Sequence, residues 1–277
     1  MGVRNDRHNN RLNIYLYFWV KPPLFVRSYN CDIIYSHSSQ ERSVCNKIMT
    51  PVFMLLLLLT AYSARAGEKE AIHMIENIHW LGHDTFKISG GNVIYTDPFN
   101  IKKEDAADII LITHEHYDHC SPDDVKKIQK SSTVIVAPSD CAGKLSGNIK
   151  TVVPGDKLTI GDVEIEAVPS YNTNKQFHTK SRNWVGYIIT VNGQRIYLAG
   201  DTDFIPEMKV LKADIALLPV SGTYVMTAEE AVEAALAINP KIAVPMHYNS
   251  IVGTKKDAKK FSDGLKGKIE VRILKEE

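Results

Sequence analysis

Cysteine is scarce in this chain: four in 277 residues, too few for a disulfide framework at this length. An excess of one charge is missing too. Lys and Arg number 33 against 32 Asp and Glu, a formal +1, so no bulk field argues for nucleic acid as a partner. No repeat or low-complexity linker interrupts the part of the chain after residue 72, which argues for one continuous domain. Long apolar runs are nearly absent as well. The longest, Val52 to Ala61, falls short of the about 20 residues that cross a bilayer.

That run has another reading. Residues 49–66 hold an apolar stretch of signal-peptide length followed by Ala64-Arg65-Ala66, a small-x-small cleavage pattern that places a mature start at Gly67. The expectation is a secreted or periplasmic protein with no stable membrane span after cleavage. Residues 1–48 mix Asn, Arg, Tyr and Pro without a sustained helical or strand period and read as a poorly ordered or over-extended segment. Met49 then reads as an initiator, in which case Lys47 and Arg42 drop out and the signal lacks its usual positive start. The remainder, 67–277, is the expected domain.

From residue 72 short apolar strands alternate with short helices. Ile78 to Ile88 and Val93 to Thr96 read as opening strands joined by Ser89-Gly90-Gly91-Asn92, and Ile109 to Ile112 as a strand buried on both faces. Ser121-Pro122-Asp123-Asp124 starts a helix, with Ser121 as cap and Pro122 in the first turn. Thr133 to Ala137 is β-branched, and a short helix is expected near 140–145. Val152 to Val168 reads as strand-turn-strand. Tyr187 to Val191 and Arg195 to Ala199 flank Asn192-Gly193, a strong hairpin signal. Thr227 caps a helix that Asn239-Pro240 stops, a second covers 255–265, and a last strand is expected from Ile269 to Leu274. This order predicts an α+β fold with two sheets face to face and helices outside.

The chemistry concentrates at residues 114–119, His-Glu-His-Tyr-Asp-His, directly after the apolar run that ends at Ile112-Thr113. Neutral imidazole and carboxylate are the donors that Zn²⁺ and similar ions take, and a loop leaving a strand tip can curl them round one ion. More donors follow apolar runs: Asp201 after Arg195 to Gly200, and His247 after Lys241 to Met246. Donors at successive strand ends predict convergence at one sheet edge.

With these residues in view the chain resembles the metallo-β-lactamase superfamily, over about residues 72 to 277. The resemblance rests on His114 to His119, Gly200-Asp201-Thr202 and His247, with support from Trp80-Leu81-Gly82-His83 and Ile94-Tyr95-Thr96-Asp97-Pro98. It is similar to the small single-domain hydrolases, including the branch related to lactonases and phosphodiesterases. The resemblance implies a four-layer αββα sandwich. It also implies a metal held by His114, His116 and a third His, a second held by Asp118, His119 and His247, and Asp201 bridging. Two zinc ions, or Mn²⁺ or Fe²⁺ in their place, would then stand about 3.5–4 Å apart and share a hydroxide nucleophile. Asp118 would orient that nucleophile and carry a proton to the leaving group.

The third His is where the sequence departs from that pattern. Asn172 occupies the expected place, and the nearest His is His178, six residues on. The expectation is that a loop brings His178 back; the alternatives are Asn172 itself as a weak ligand, or His83. Asp97 is expected to accept a hydrogen bond from a ligand imidazole. Tyr248 is a candidate oxyanion donor, Tyr171, Lys175 and Lys180 are candidate anion contacts, and Cys120 is expected to be a small buried residue. His73 and His79 are expected on the opening strand in ordinary structural roles.

The function expected is a metal-dependent hydrolase acting on an ester, lactone or phosphodiester of a small molecule. A non-catalytic metal-binding protein, a β-lactamase and a nuclease are the alternatives. The balanced charge and the lack of room for a clamping domain count against the nuclease. Nothing in the sequence speaks to oligomeric state.

Overall fold

The computed structural model describes residues 66–277 apart from 68, 72, 103 and 104. The extension read at 1–48, and all but the last residue of the signal segment 49–66, lie outside the described residues. The described chain folds as two sheets. The first has six strands in sequence order: β1 (Ile78–Trp80), β2 (Phe86–Ser89), β3 (Val93–Thr96), β4 (Ile109–Leu111), β5 (Val134–Ala137) and β6 (Asn148–Thr151). The second has seven: β7 (Lys157–Ile160), β8 (Val163–Pro169), β9 (Val185–Val191), β10 (Gln194–Leu198), β11 (Ile215–Pro219), β12 (Ile242–Met246) and β13 (Glu270–Val271). Its spatial order is β13-β12-β11-β10-β9-β8-β7.

Each sheet is mixed. β3 to β6 run parallel in the first, and β10 to β13 in the second. Parallel neighbours need crossovers, and these place α1 (Pro122–Ile128) and α2 (Ser139–Ala142) along the first sheet and α3 (Ala228–Ile238) and α4 (Lys255–Leu265) along the second. β4 shows why its sequence is apolar without alternation. Ile109 and Leu111 enter the large core between the sheets, while Ile110 packs with Val125 and Ile128 of α1 and Ile135 of β5. The two sheets also touch through a polar link, the Tyr187 hydroxyl donating to the Ile112 carbonyl at 2.8 Å.

Local signals set the helix ends. Ser121 accepts from the Asp124 amide at the start of α1. Thr227 with Glu230 and Thr254 with Asp257 close capping boxes on α3 and α4. Asn239 ends α3 in the left-handed region at φ 54°. Asn192 and Gly193, at φ 50° and 76°, make the tight β9–β10 turn.

The structure differs from the sequence reading at four places. The opening run is two strands, because Gly82 (φ 104°) and His83 (φ 51°) turn the chain between Trp80 and Phe86. β6 was not read, since its Asn-Ile-Lys-Thr stretch is largely exposed and lacks an apolar pattern. The last strand shrinks to Glu270–Val271. His73 falls in a helical segment before β1 and is exposed, whereas His79 lies on β1 with its ring 3.0 Å from Glu277.

Candidate metal centre

The C-terminal ends of β3, β4, β8, β10 and β12 share one edge of the sandwich, and each releases a donor or its support: Asp97, His114, the 170–178 loop, Asp201 and His247. The backbone there is set for close approach. Gly200 sits at φ 63°, and a Cβ on it would stand 3.0 Å from the Thr113 side chain. His247 holds φ 57°, a conformation non-glycine residues rarely adopt. Its amide donates to the His83 carbonyl at 3.2 Å and its Nδ1 lies 2.9 Å from Ser221 Oγ.

His114, His116 and His178 form one group. His114 Nε2 is 3.0 Å and His178 Nε2 is 3.3 Å from His116 Nδ1. Protons can be assigned from the outer partners. Thr113 Oγ1 donates to Asp97 Oδ2 at 2.6 Å, so it accepts from His114 Nδ1 at 3.0 Å. Asn172 Nδ2 donates to Asp203 Oδ1 and the Tyr224 carbonyl, which fixes Oδ1 as the atom that accepts from His178 Nδ1 at 3.0 Å. Both outer nitrogens therefore carry the proton, and both Nε2 lone pairs point at His116. Lone pairs converging on His116 Nδ1 are stabilised by a cation between the three nitrogens, or by a proton on His116 Nδ1. Ligands about 2.0–2.1 Å from a tetrahedral zinc stand about 3.3 Å apart, the spacing seen here.

The second group expected from the sequence is Asp118, His119 and His247, and the donor atoms that converge there are those of His83, His119 and His247. His119 Nδ1 donates to Asp97 Oδ2 at 2.9 Å, leaving Nε2 buried with no hydrogen-bond partner and 3.9 Å from Asp118 Oδ2. Asp201 joins the two groups. Its Oδ2 is 3.2 Å from His178 Nε2 and 3.3 Å from His247 Nε2, and its Oδ1 is 3.5 Å from His119 Nε2. Among the described residues, the donor triplets that could hold an ion include His83-His119-His247, His114-His116-His178 and His114-His119-Asp201. The orphaned buried atoms and the outward-facing ring protons fit a cation.

The electrostatics agree. Burial works against an ionised Asp201, yet the charges of His247 and His119 hold its carboxyl well below the usual range. Burial likewise opposes protonation of His247, but Asp201 and Asp84 lift it to about 9. His114 is pushed well down by burial and by His119 beside it. Burial drops His83 to about 4, with His247 and His119 adding to it and Asp118 opposing. The centre thus carries carboxylates that draw positive charge onto imidazoles better suited to stay neutral ligands.

All seven residues expected from the sequence, His114, His116, Asp118, His119, His178, Asp201 and His247, lie in this cluster. Asn172 orients His178 through two hydrogen bonds, to its amide and its ring. Asp203, buried at the base of the loop, takes donors from Asn172, Thr173, Asn174 and Lys175, and so fixes the excursion that returns His178. Asp97 supports His119, as expected. His83 does not complete the first group. Its Nε2 faces Asp118 Oδ2 at 3.2 Å, beside His119 and His247. Tyr248 is buried and stacks on Trp80 with ring centroids 4.8 Å apart, a packing role that removes it as an oxyanion donor. Lys175 pairs with Asp203, and Lys180 with Glu207 and Tyr171. Cys120 is buried. Sequence reasoning missed Asp84, whose only signal was its place next to His83.

A two-sheet sandwich with a paired His and Asp centre at its strand ends is the arrangement of a metal-dependent enzyme. A family model described as the beta-lactamase superfamily domain matches residues 77–247. A UPF0173 metal-dependent hydrolase of Thermococcus onnurineus is 35% identical over 215 residues, covering 72% of this chain and 96% of the relative. One from Thermoplasma acidophilum is 34% identical over 203 residues, covering 66% and 88%. The crystal structure of a protein assigned as a metal-dependent hydrolase from Parabacteroides distasonis is 39% identical, covers 72% of this chain and 93% of its own, and superposes with a TM-score of 0.65. The chain belongs to the metallo-β-lactamase superfamily, among the UPF0173 metal-dependent hydrolases.

Proposed function

We propose that this hydrolase cleaves a carboxylic ester or lactone of a small molecule at a centre of two metal ions, with zinc at the three-imidazole position. The observation that carries the reading is Asp201, whose Oδ2 stands within 3.3 Å of both His178 Nε2 and His247 Nε2. His114, His116 and His178 would hold one ion and Asp118, His119 and His247 the other, with Asp201 common to both. When bound, such a pair supplies a water acidified to near neutral pH and a Lewis acid for the carbonyl.

The chain's own residues do the rest. His83 donates to Asp118 Oδ2 and holds that carboxylate beside His119. Burial alone would raise the Asp118 pKa, but the His83 hydrogen bond and the His119 charge lower it, so Asp118 stands ionised and ready to accept a proton and pass it to the leaving oxygen. Trp184, its ring 4.9 Å from those of both His114 and His116, backs the imidazoles with apolar surface that excludes water.

The rim supports an ester or lactone over a phosphodiester. Lys175, Lys180 and Arg182 each already pair with a carboxylate, which offsets the positive charge they offer a phosphate. Aromatic rings are exposed instead: Tyr117 at 68% and Phe177 at 53%, with Phe99 packed edge-on to Tyr117 and Tyr224 edge-on to Phe177. Such a rim favours an apolar substituent on the substrate.

The test is a panel of aryl esters, lactones, bis-aryl phosphodiesters and a chromogenic cephalosporin, run with metal-loaded wild type and Asp118→Ala. Turnover of esters or lactones, lost in the variant, is expected. Turnover confined to the phosphodiester or the cephalosporin would replace the substrate class. Export is part of the same proposal and rests on the 49–66 segment. N-terminal sequencing of protein from the periplasm or medium should begin at Gly67, and retention of the whole segment in the cytoplasm would rule it out.

A further inference from the structure

Asp84 follows His83 in the turn between β1 and β2 and is fully buried. Neither of its carboxylate oxygens has a hydrogen-bond partner. The turn around it is otherwise well bonded: the Asp84 carbonyl accepts from Thr96 Oγ1 at 2.9 Å, the His83 carbonyl from Trp80 Nε1 at 2.9 Å, and the Gly82 carbonyl from the Thr85 amide at 2.9 Å. These bonds engage backbone atoms and leave the side chain out. A buried carboxylate in a purely structural role collects N–H or O–H donors, as Asp97 does from Thr113 and His119. Asp84 collects none.

What surrounds it is the metal centre. One Asp84 oxygen, one Asp201 oxygen and one His247 ring nitrogen lie within 4.8 Å of one another, and Asp84, Asp97 and His119 form a second such triplet. The two ion positions differ in donor chemistry. One has three imidazoles and a share of Asp201, a set that suits tetrahedral zinc. The other has His119, His247, Asp118 and a share of Asp201, with the third nearby imidazole, His83, engaged by its Nε2 with Asp118, and it is toward this side that Asp84 lies. A third carboxylate there gives five protein donors, more than a tetrahedral ion accepts, and an oxygen majority, which suits ions that take six ligands.

We propose that Asp84 is an additional oxygen ligand of the position formed by Asp118, His119 and His247, and that it narrows the preference of this position for Zn²⁺ over Mn²⁺ or Fe²⁺. The inference rests on the two-metal reading above. The competing account is a carboxylic acid kept neutral in a dry turn that touches no ion.

Wild type and Asp84→Asn, stripped and then titrated separately with Zn²⁺ and Mn²⁺, separate the two by calorimetry and elemental analysis, with no substrate present. Wild type should bind two equivalents, with the Zn²⁺-to-Mn²⁺ affinity ratio smaller at one of them than at the other. Asp84→Asn should keep one equivalent at wild-type affinity and bind the other at least ~10-fold more weakly, with that difference in ratio lost. Equal stoichiometry, affinity and preference in the two proteins would overturn the inference while leaving the two-metal reading intact. Wild type that takes up fewer than two equivalents would overturn that reading, and this inference with it. Should Asp84→Asn not fold, the visible spectrum of cobalt-loaded wild type decides. Weak five- or six-coordinate bands at one position are expected, and intense tetrahedral bands at both would overturn the assignment.

Discussion

Asn172 Oδ1 accepts two hydrogen bonds from His178, from the amide at 3.1 Å and from ring Nδ1 at 3.0 Å. A side chain in the place where the superfamily pattern leads one to expect a ligand thus holds the true candidate ligand from behind. The pair also fixes which ring nitrogen faces the centre, because Asn172 Nδ2 is committed to Asp203 and the Tyr224 carbonyl.

His178→Ala should remove a direct donor and lower metal affinity at the three-imidazole position by more than the ~10–100-fold typical of a supporting residue. Asn172→Ala should fall inside that range, since the ring stays but its orientation loosens. Metal titration of both variants, with circular dichroism to confirm the fold, orders them. An Asn172 variant weaker than the His178 variant would reverse the assignment.

Asp118→Ala should reduce kcat/KM on an accepted ester or lactone by about 10²–10⁴-fold, the span of a positioned proton-transfer group. His83→Phe keeps a ring in the turn but removes the donor to Asp118. A smaller loss, mainly in kcat, is expected there. If His83→Phe leaves the rate unchanged, the hydrogen bond to Asp118 does not hold the base.

Chelation should destabilise the protein. Metal present at 100 times its dissociation constant adds about 2.7 kcal/mol to the folded state, and stripping also leaves the buried Asp84 carboxyl with no partner. A lower Tm in chelator, restored by added Zn²⁺ or Mn²⁺, is the expected scan. An unchanged Tm would mean that no ion is bound to the folded state.

Asp124 gives a pH-dependent prediction away from the centre. Its carboxylate accepts from the Asn100 and Ile101 amides, from Ser121 Oγ and from Lys127, tying the 97–101 loop to the start of α1. Burial would raise its pKa, but Lys127 and Ser121 prevail and lower it. A depressed folded-state pKa stabilises above the unfolded value, about 4, and that contribution is lost as pH falls through the folded value. Asp124→Ala should therefore cost about 2 kcal/mol at pH 7 in denaturant unfolding, with the gap to wild type narrowing below about pH 4. A gap that stays constant to low pH would show that the charge contributes nothing.

Much of this was legible in the chain because the signals are local. His114 to His119 spans six residues, and helix caps such as Thr227 with Glu230 act over three, so pattern and geometry nearly coincide. β4 could be read as buried on both faces from its unbroken apolar run, and the β9–β10 turn from Asn192-Gly193. β6 could not be read, because an exposed edge strand is specified by its pairing with β5 rather than by its own residues.

The sequence by itself determined the donor types, their delivery at the ends of apolar strands and the layered α+β architecture, since each depends on residues close in the chain. Only the tertiary structure decided which donors meet. His178 reaches His116 across 62 residues because Asp203, from the far side of the β9–β10 hairpin, pins the loop between them. His83 faces Asp118 across 35 residues, and Asp84 enters the centre beside it, because Gly82 and His83 turn the chain at positive φ. A sequence pattern carries no record of such long-range closure, which is fixed by the packing of two sheets against each other and by hydrogen bonds that exist only once they have packed.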